Sequence, residues 1–123
     1  MKQRNFNNLL EFIPFKNISY ISERQEENNN ITIVIERKSK IDKILLKILK
    51  KAHKELYVHL DEIGSFIWRS IDGKKNILNL CEMFMEEYNV DKGEAINRTV
   101  YFIKILKNNK FIKFNIKNNK KVL

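Results

Sequence analysis

The sequence has very little of the residues that build disulfide frameworks, metal centres and catalytic sites. It contains one cysteine, Cys81, and two histidines, His53 and His59, in 123 residues. A single cysteine excludes an internal disulfide and a cysteine-built zinc site, and two histidines leave few ligands for any other metal. We therefore expect no metal, no cofactor, no catalytic activity and a cytoplasmic protein.

Glycine, proline and long apolar runs are scarce as well. With three glycines and one proline, no linker divides the chain. No stretch approaches the ~18 apolar residues of a membrane span, so we expect none. The 43% hydrophobic content is enough for one core. We predict an extended arm at residues 1–16, one domain at 17–116 and a basic tail at 117–123.

Acidic residues are too few to balance the bases, since 24 Lys+Arg oppose 15 Asp+Glu and give a net charge of +9. The excess lies in residues 38–54, with seven lysines and one acid, and 104–121, with seven lysines and no acid. The first segment is also amphipathic. It could cover the sheet or extend an enzyme-docking surface, lie on a membrane, or contact nucleic acid. We favour the first, because apolar faces in small domains are normally buried.

Alternation of apolar and polar residues predicts strands at 17–23, 31–37 and 55–60. Polar turn residues at 26–30 join the first two as a hairpin. In the third strand, Leu56, Val58 and Leu60 share one face, and Tyr57 and His59 share the other. A further strand-like segment follows at 111–116.

Three helices are predicted after the third strand. Asp61 is the expected cap of the first helix, which should end at Gly73, and Asn76 is the expected cap of the second. Asp91 with Glu94 predicts a capping box for a third helix that runs to about Asn109. The fold class is therefore α+β, with a three-stranded antiparallel sheet followed by three helices.

Residues 60–73 read Leu-Asp-Glu-Ile-Gly-Ser-Phe-Ile-Trp-Arg-Ser-Ile-Asp-Gly, and the third predicted helix carries Arg98 and Phe102-Ile103-x-x-Leu106 before Phe111-Ile112. This pattern resembles the PqqD family, the peptide-binding proteins also called RiPP recognition elements, and extends from about residue 17 to 112. The resemblance implies a winged helix-turn-helix-like fold. Asn109 and Lys110 stand where the family often has a glycine, and Asn can adopt the left-handed conformation.

The resemblance implies a non-catalytic protein that binds the leader of a ribosomally made precursor peptide. Such a protein presents the leader to a modifying enzyme, often a radical SAM enzyme. Binding occurs by β-strand addition, in which an edge strand pairs with an extended peptide. The family analogy places the receptive edge at the third strand, 55–60. The same edge could also pair with a second copy to give a homodimer.

The resemblance also places the third helix opposite the receptive strand. Helical geometry puts Arg98, Phe102 and Ile105 outside the core-facing arc of that helix, where they form an apolar shoulder beside one base. The predicted peptide-binding residues are Leu56, Tyr57, Val58, His59, Arg98, Phe102 and Ile105.

A DNA-binding helix-turn-helix regulator is the alternative, because two helices are joined by a short turn in a basic chain. Two features disfavour it. The main sheet precedes the helices, and an acid, Glu94, stands at the end of the helix that would enter the groove. We therefore expect no nucleic-acid partner.

Overall fold

The chain is described by a computed structural model over residues 9–19, 21–36 and 55–115. Its elements are, in chain order, β1 (Ile13–Lys16), β2 (Ile21–Gln25), β3 (Ile31–Glu36), β4 (Glu55–His59), α1 (Glu62–Ser70), α2 (Ile77–Tyr88), α3 (Lys92–Asn108) and β5 (Ile112–Asn115). They belong to two compact units, one of residues 18–65 and one of residues 1–17 with 66–123. The division falls within α1.

The unit of residues 18–65 contains a three-stranded antiparallel sheet in the order β2–β3–β4. The central strand β3 is buried from Ile31 to Ile35, including the polar Thr32. A strand with neighbours on both sides needs β-branched residues that pack well on a pleated surface, and Ile-Thr-Ile-Val-Ile supplies them. The α+β class, with this sheet followed by three helices, is confirmed.

The hairpin between β2 and β3 closes through a tight polar turn. The Asn29 N–H donates to the Glu26 carbonyl at 2.9 Å, and the Glu26 N–H donates to the Asn30 carbonyl at 2.8 Å. Asn29 has φ 72°, a left-handed conformation that Asn adopts more readily than most residues. The polar run at 26–30 therefore forms the predicted turn.

In the other unit, α2 and α3 pack together through buried faces. The α2 face comprises Ile77, Leu80, Cys81 and Phe84, and the α3 face comprises Ala95, Thr99, Val100, Ile103 and Leu106. Fully burying one large apolar side chain contributes roughly 1.5–3 kcal/mol to stability, so the burial of these two faces stabilises the packing of α2 against α3. Asn76 caps α2 in a capping box with Asn79, as predicted for the cap.

A two-stranded sheet of β1 and β5 joins the two ends of the described chain and was not predicted. Ile13 pairs with Asn115 and Lys16 with Ile112, while the rings of Phe12 and Phe114 lie 5.3 Å apart. The paired residues are about a hundred positions apart in the sequence, so no local pattern predicts the pairing. Residues 13–16 of the predicted arm are thus a paired strand.

Several boundaries differ from the predicted ones. Strand β2 begins at Ile21, four residues after its predicted start, and α1 ends at Ser70, before its predicted end at Gly73. Gly73 lies in the loop after α1 with φ 80°. There the Asp72 carboxylate accepts the backbone N–H groups of Lys74 and Lys75, which forms a turn of its own. The predicted insert at 38–54 and tail at 117–123 lie outside the described residues.

Candidate functional site

Strand β4 lies at one end of the described sheet. It pairs with β3 along its length, from Glu36 opposite Glu55 to Thr32 opposite His59. In the part of the chain that the structure describes, no strand pairs with its other side. This outer side of β4 is the edge that the sequence predicts to be receptive.

A hydrogen bond in the turn before β3 shows which residues of β3 direct their backbone groups toward β4. The bond from the Glu26 N–H to the Asn30 carbonyl shows that Asn30 faces β2. In an antiparallel strand, consecutive residues direct their N–H and C=O groups to alternate sides. The even-numbered residues of β3 therefore face β2, and the odd-numbered residues face β4.

The end of β4 agrees with this alternation. The Leu60 N–H donates to the carbonyl of Ile31, an odd-numbered residue of β3, at 2.9 Å. Even-numbered residues of β4 thus bond to β3, as Leu56 and Val58 do opposite Ile35 and Ile33. The N–H and C=O groups of Tyr57 and His59 consequently point toward the outer edge.

The Asp-Glu-x-Gly-Ser part of the sequence motif ends the ladder and begins α1. The buried Ser65 hydroxyl accepts the Ile31 N–H at 2.8 Å and donates to the Leu60 carbonyl at 3.4 Å. It therefore bridges the last pair of the β3–β4 ladder. The Asp61 carboxylate accepts the Gly64 N–H at 2.8 Å and caps α1, as predicted. The motif thus fixes where β4 ends.

Cross-strand partners share a face of the sheet, so the register assigns each side chain of β4 to a face. Leu56 and Val58 lie on the apolar face with Ile33 and Ile35. Tyr57 and His59 lie on the opposite face, as the alternation predicts. Leu56 is 40% exposed and Tyr57 46%.

A hydrogen-bonded chain of side chains crosses that opposite face. The Thr32 hydroxyl donates to the Glu26 carboxylate, and the His59 Nδ1 lies 2.9 Å from the same hydroxyl oxygen. Because an ionised carboxylate only accepts, Thr32 must donate to Glu26 and accept from His59. His59 therefore carries a proton on Nδ1.

Arg24 completes this polar chain from the far strand. Its Nε donates to the Glu26 carboxylate at 3.1 Å, and its guanidinium lies 5.0 Å from the Tyr57 ring centroid. The hydrogen bond from Thr32, and then that from Arg24, lowers the pKa of the Glu26 carboxyl. Sequence reasoning missed Arg24, Glu26 and Thr32, since they come together only through the strand register.

The two edges of the sheet differ in character. On β2 the residues from Ser22 to Gln25 are all exposed, and none is apolar. Charged and polar side chains are a common device that protects an edge from pairing with other strands. The β4 edge instead exposes apolar surface at Leu56 and Tyr57.

The α3 residues that were predicted to bind the peptide differ in their exposure and in their contacts. Ile105 is 38% exposed, Phe102 is half-buried, and Tyr101, which was not predicted, is 69% exposed. The Arg98 guanidinium pairs with Glu94 at 3.1 Å and lies 5.4 Å from the Phe84 ring. The Glu94 carboxylate therefore pairs with Arg98, whereas the Glu94 backbone N–H donates to the Asp91 side chain that caps α3. That these residues line one groove with β4 stays a prediction.

No group of three or more potential metal ligands occurs among the described residues. Burial raises the pKa of the Cys81 thiol, although the neighbouring Thr99 hydroxyl acts in the opposite direction. A raised pKa leaves little of the nucleophilic thiolate, so this cysteine behaves as a small apolar residue. None of the described helices has the length and apolarity to cross a membrane.

Comparison with known proteins gives one family match. Residues 47–112, more than half of the chain, match the family described as coenzyme PQQ synthesis protein D (PqqD). No curated protein and no solved structure matches the chain significantly. The matched region contains β4, the motif at 60–73, α2 and α3.

Proposed function

Because the chain belongs to the PqqD family, we propose that it captures the leader of a ribosomally synthesised precursor peptide by strand addition to β4. Proteins of this family are non-catalytic accessory proteins that bind a precursor peptide for a modifying enzyme. The partner we propose is a radical SAM enzyme, and the place of action is the cytoplasm. The protein positions the peptide, and the partner enzyme performs the chemistry.

The difference between the two sheet edges is the observation that carries this proposal. From Ser22 to Gln25, strand β2 presents only polar and charged side chains, whereas β4 exposes Leu56 and Tyr57 beside outward-directed backbone groups. Backbone pairing gives affinity with little sequence preference, and the side chains along the edge give selectivity. Of the two edges, β4 is the one suited to an extended peptide.

The proposal includes the α3 residues named by the resemblance. Phe102 and Ile105 offer apolar surface to side chains of the leader, and Arg98 offers a base to an acidic one. Arg98 is already paired with Glu94. An acidic leader residue would therefore compete with that pair, which is a surface pair of small net energy.

A proline on the β4 edge tests strand addition. In His59→Pro the outward N–H is lost, and the β3–β4 ladder is kept because this N–H does not face β3. The probe is a synthetic peptide selected on the full-length protein from a displayed random-peptide library. We expect His59→Pro to weaken its binding about tenfold or more in calorimetry, since a hydrogen bond is lost and the ring obstructs the strand.

Two matched variants control this experiment. His59→Ala removes the imidazole but keeps the N–H, and Glu23→Pro places the same ring on the polar β2 edge. Glu23→Pro should bind the peptide within about threefold of wild type, and His59→Ala, which measures the contribution of the side chain, should bind at least about threefold more tightly than His59→Pro. Equal binding by His59→Pro and wild type, or failure of the library to yield any binder, would contradict the proposal. Sedimentation of the free protein shows whether a second copy occupies the edge instead.

A further inference from the structure

The outer face of α3 carries a line of exposed side chains that the proposed function does not use. Asn97, Tyr101, Lys104 and Asn108 follow one another at intervals of four, three and four residues, and all are exposed. At about 100° per residue they fall within about 60° of arc, so they lie along one side of the helix. Such intervals are those by which a helix presents one face to a partner. We call these four residues the α3 stripe.

Tyr101 lies near the centre of the α3 stripe. It is 69% exposed, more than any other aromatic residue that the structure describes. Its ring takes part in none of the aromatic or cation–π contacts among the described residues. A single exposed apolar side chain is ordinary on a protein surface, but tyrosine is also enriched at the central contacts of protein–protein interfaces. The charges around Tyr101 indicate which kind of partner would bury it.

The bases around Tyr101 have almost no counter-charge. Residues 95–115 contain no acid and five bases, which are Arg98, Lys104, Lys107, Lys110 and Lys113. Arg98 pairs with Glu94, whereas the four lysines make no ion pair with any described residue. The Lys107 Nζ lies 5.6 Å from the Phe114 ring centroid, so the end of α3 lies against β5. Unpaired bases gathered at one place repel each other and attract an acidic surface.

The first turns of α3 disfavour a nucleic acid as the source of that acidic surface. A helix-turn-helix protein reads DNA mainly with the N-terminal residues of its second helix. In α3 these residues include Asp91, which caps the helix, and Glu94, which pairs with Arg98. A phosphate backbone would therefore meet two carboxylates. An acidic protein surface with an apolar pocket fits both the lysines and the exposed tyrosine.

The residue of α3 that offers most apolar surface to a leader lies on another side of the helix. Phe102 is about 130° round the helix from the centre of the α3 stripe. It is also half-buried, whereas the stripe is exposed along its length. A leader packed on Phe102 leaves the stripe uncovered. The stripe therefore suits a second macromolecule that binds at the same time as the leader.

Resting on the proposed function, we propose that the α3 stripe is the surface through which the protein docks on its modifying enzyme. The enzyme supplies an acidic patch around an apolar pocket. Tyr101 fills the pocket, Lys104 pairs with the acidic rim, and the two asparagines form hydrogen bonds at either end. Docking on this side of α3 leaves Phe102 free for the leader, so leader and enzyme bind together.

Binding of an enzyme to variants of the α3 stripe tests this inference. The probe is the radical SAM enzyme whose gene lies nearest to the gene of this chain, and its binding to the full-length protein is measured by biolayer interferometry. Tyr101→Ala and Lys104→Glu should each weaken binding about tenfold or more. Tyr101→Phe should bind within about threefold of wild type, because the ring fills the pocket.

A charge reversal elsewhere on the same unit is the matched control. Lys113 is exposed, lies on β5 and makes no ion pair with a described residue. Lys113→Glu changes the net charge as Lys104→Glu does, so both variants lose the same long-range attraction. Lys113→Glu should bind the enzyme at least about threefold more tightly than Lys104→Glu. Equal losses in the two variants would assign the effect to net charge and overturn the inference.

The selected leader peptide separates this inference from the proposed function. Tyr101→Ala and Lys104→Glu should bind that peptide within about threefold of wild type. If they lose the peptide as well as the enzyme, the stripe belongs to the leader site, and the inference is overturned while leader capture stands. Unchanged enzyme binding by both variants, or no binding by wild type, also overturns the inference and leaves the peptide result intact. A DNA duplex that wild type shifts in a gel and Lys104→Glu does not would assign the stripe to nucleic acid instead.

Discussion

Replacing Lys110 by glycine should stabilise the protein. Lys110 follows the end of α3 and has φ 66°, in the left-handed region that disfavours side chains with a Cβ. Its N–H donates to the Lys107 carbonyl at 3.0 Å, and the Phe111 N–H donates to the Leu106 carbonyl at 2.9 Å. These two bonds form a Schellman motif, whose left-handed position is usually occupied by glycine.

The magnitude follows from two opposing terms. Left-handed backbone destabilises a residue with a Cβ by about 1–2 kcal/mol, and glycine removes that penalty. Glycine also loses more conformational freedom on folding, which costs about 0.4–1 kcal/mol. The net gain is about 0.5–1 kcal/mol. The bond from the Asn17 side chain to the Lys110 carbonyl involves backbone only at residue 110, so it is retained.

Thermal unfolding followed by circular dichroism measures this gain. For 123 residues, an unfolding entropy of ~2.1 cal/mol/K per residue gives ~0.26 kcal/mol/K, so Tm should rise by about 2–4 °C. Lys110→Ala controls for the lost charge and should change Tm little, because it keeps the Cβ. Asn109→Gly, at φ −93°, should lower Tm. An unchanged or lower Tm for Lys110→Gly, or an equal rise for Lys110→Ala, would refute the reasoning.

Two further substitutions probe buried and charged groups. Thr99 is fully buried, and its hydroxyl makes no hydrogen bond of normal geometry within the described structure. Thr99→Val should therefore raise the free energy of unfolding by about 1 kcal/mol, measured by urea unfolding. A loss of stability would contradict the view that an unpaired hydroxyl destabilises the protein at this position. The hydrogen bond from Lys75, with two backbone N–H groups, holds the pKa of Asp72 far below its usual range. The stability this gives is complete above the ordinary Asp pKa and disappears as pH falls toward the lowered value. The Tm deficit of Asp72→Asn should consequently shrink between neutral pH and pH ~2, and a pH-independent deficit would contradict this origin.

Local chemistry explains why the capping residues and the third strand were predictable. Asp61, Asn76 and Asp91 each accept an N–H three residues later, a contact that sequence spacing alone encodes. The alternation in β4 likewise assigned Tyr57 and His59 to one face. At the end of α3 the spacing located the left-handed position only approximately, since Lys110 adopts it and Asn109 does not.

Contacts between distant residues explain what was missed. The β1–β5 pairing joins Pro14 to Phe114, and neither segment has a pattern that names its partner. The chain from Arg24 through Glu26 and Thr32 to His59 depends on the register of two strand pairs, and a shift of one residue would break it. Such networks become visible only when the register is known.

The sequence motif and the outer edge of β4 have different roles. Asp61 and Ser65 carry much of the family resemblance. Ser65 bonds to backbone groups at the end of the ladder and Asp61 to the first turn of α1, and neither of these bonds involves the outer side of β4. They fix where β4 ends, and hence which of its residues direct backbone outward. In the proposed function, the contribution of the strand to selectivity comes from Leu56, Tyr57, Val58 and His59, whose side chains make neither of these motif bonds. Changes at these four positions should therefore alter which peptide binds, while changes at Ser65 should weaken the binding of every peptide together with the stability of the sheet.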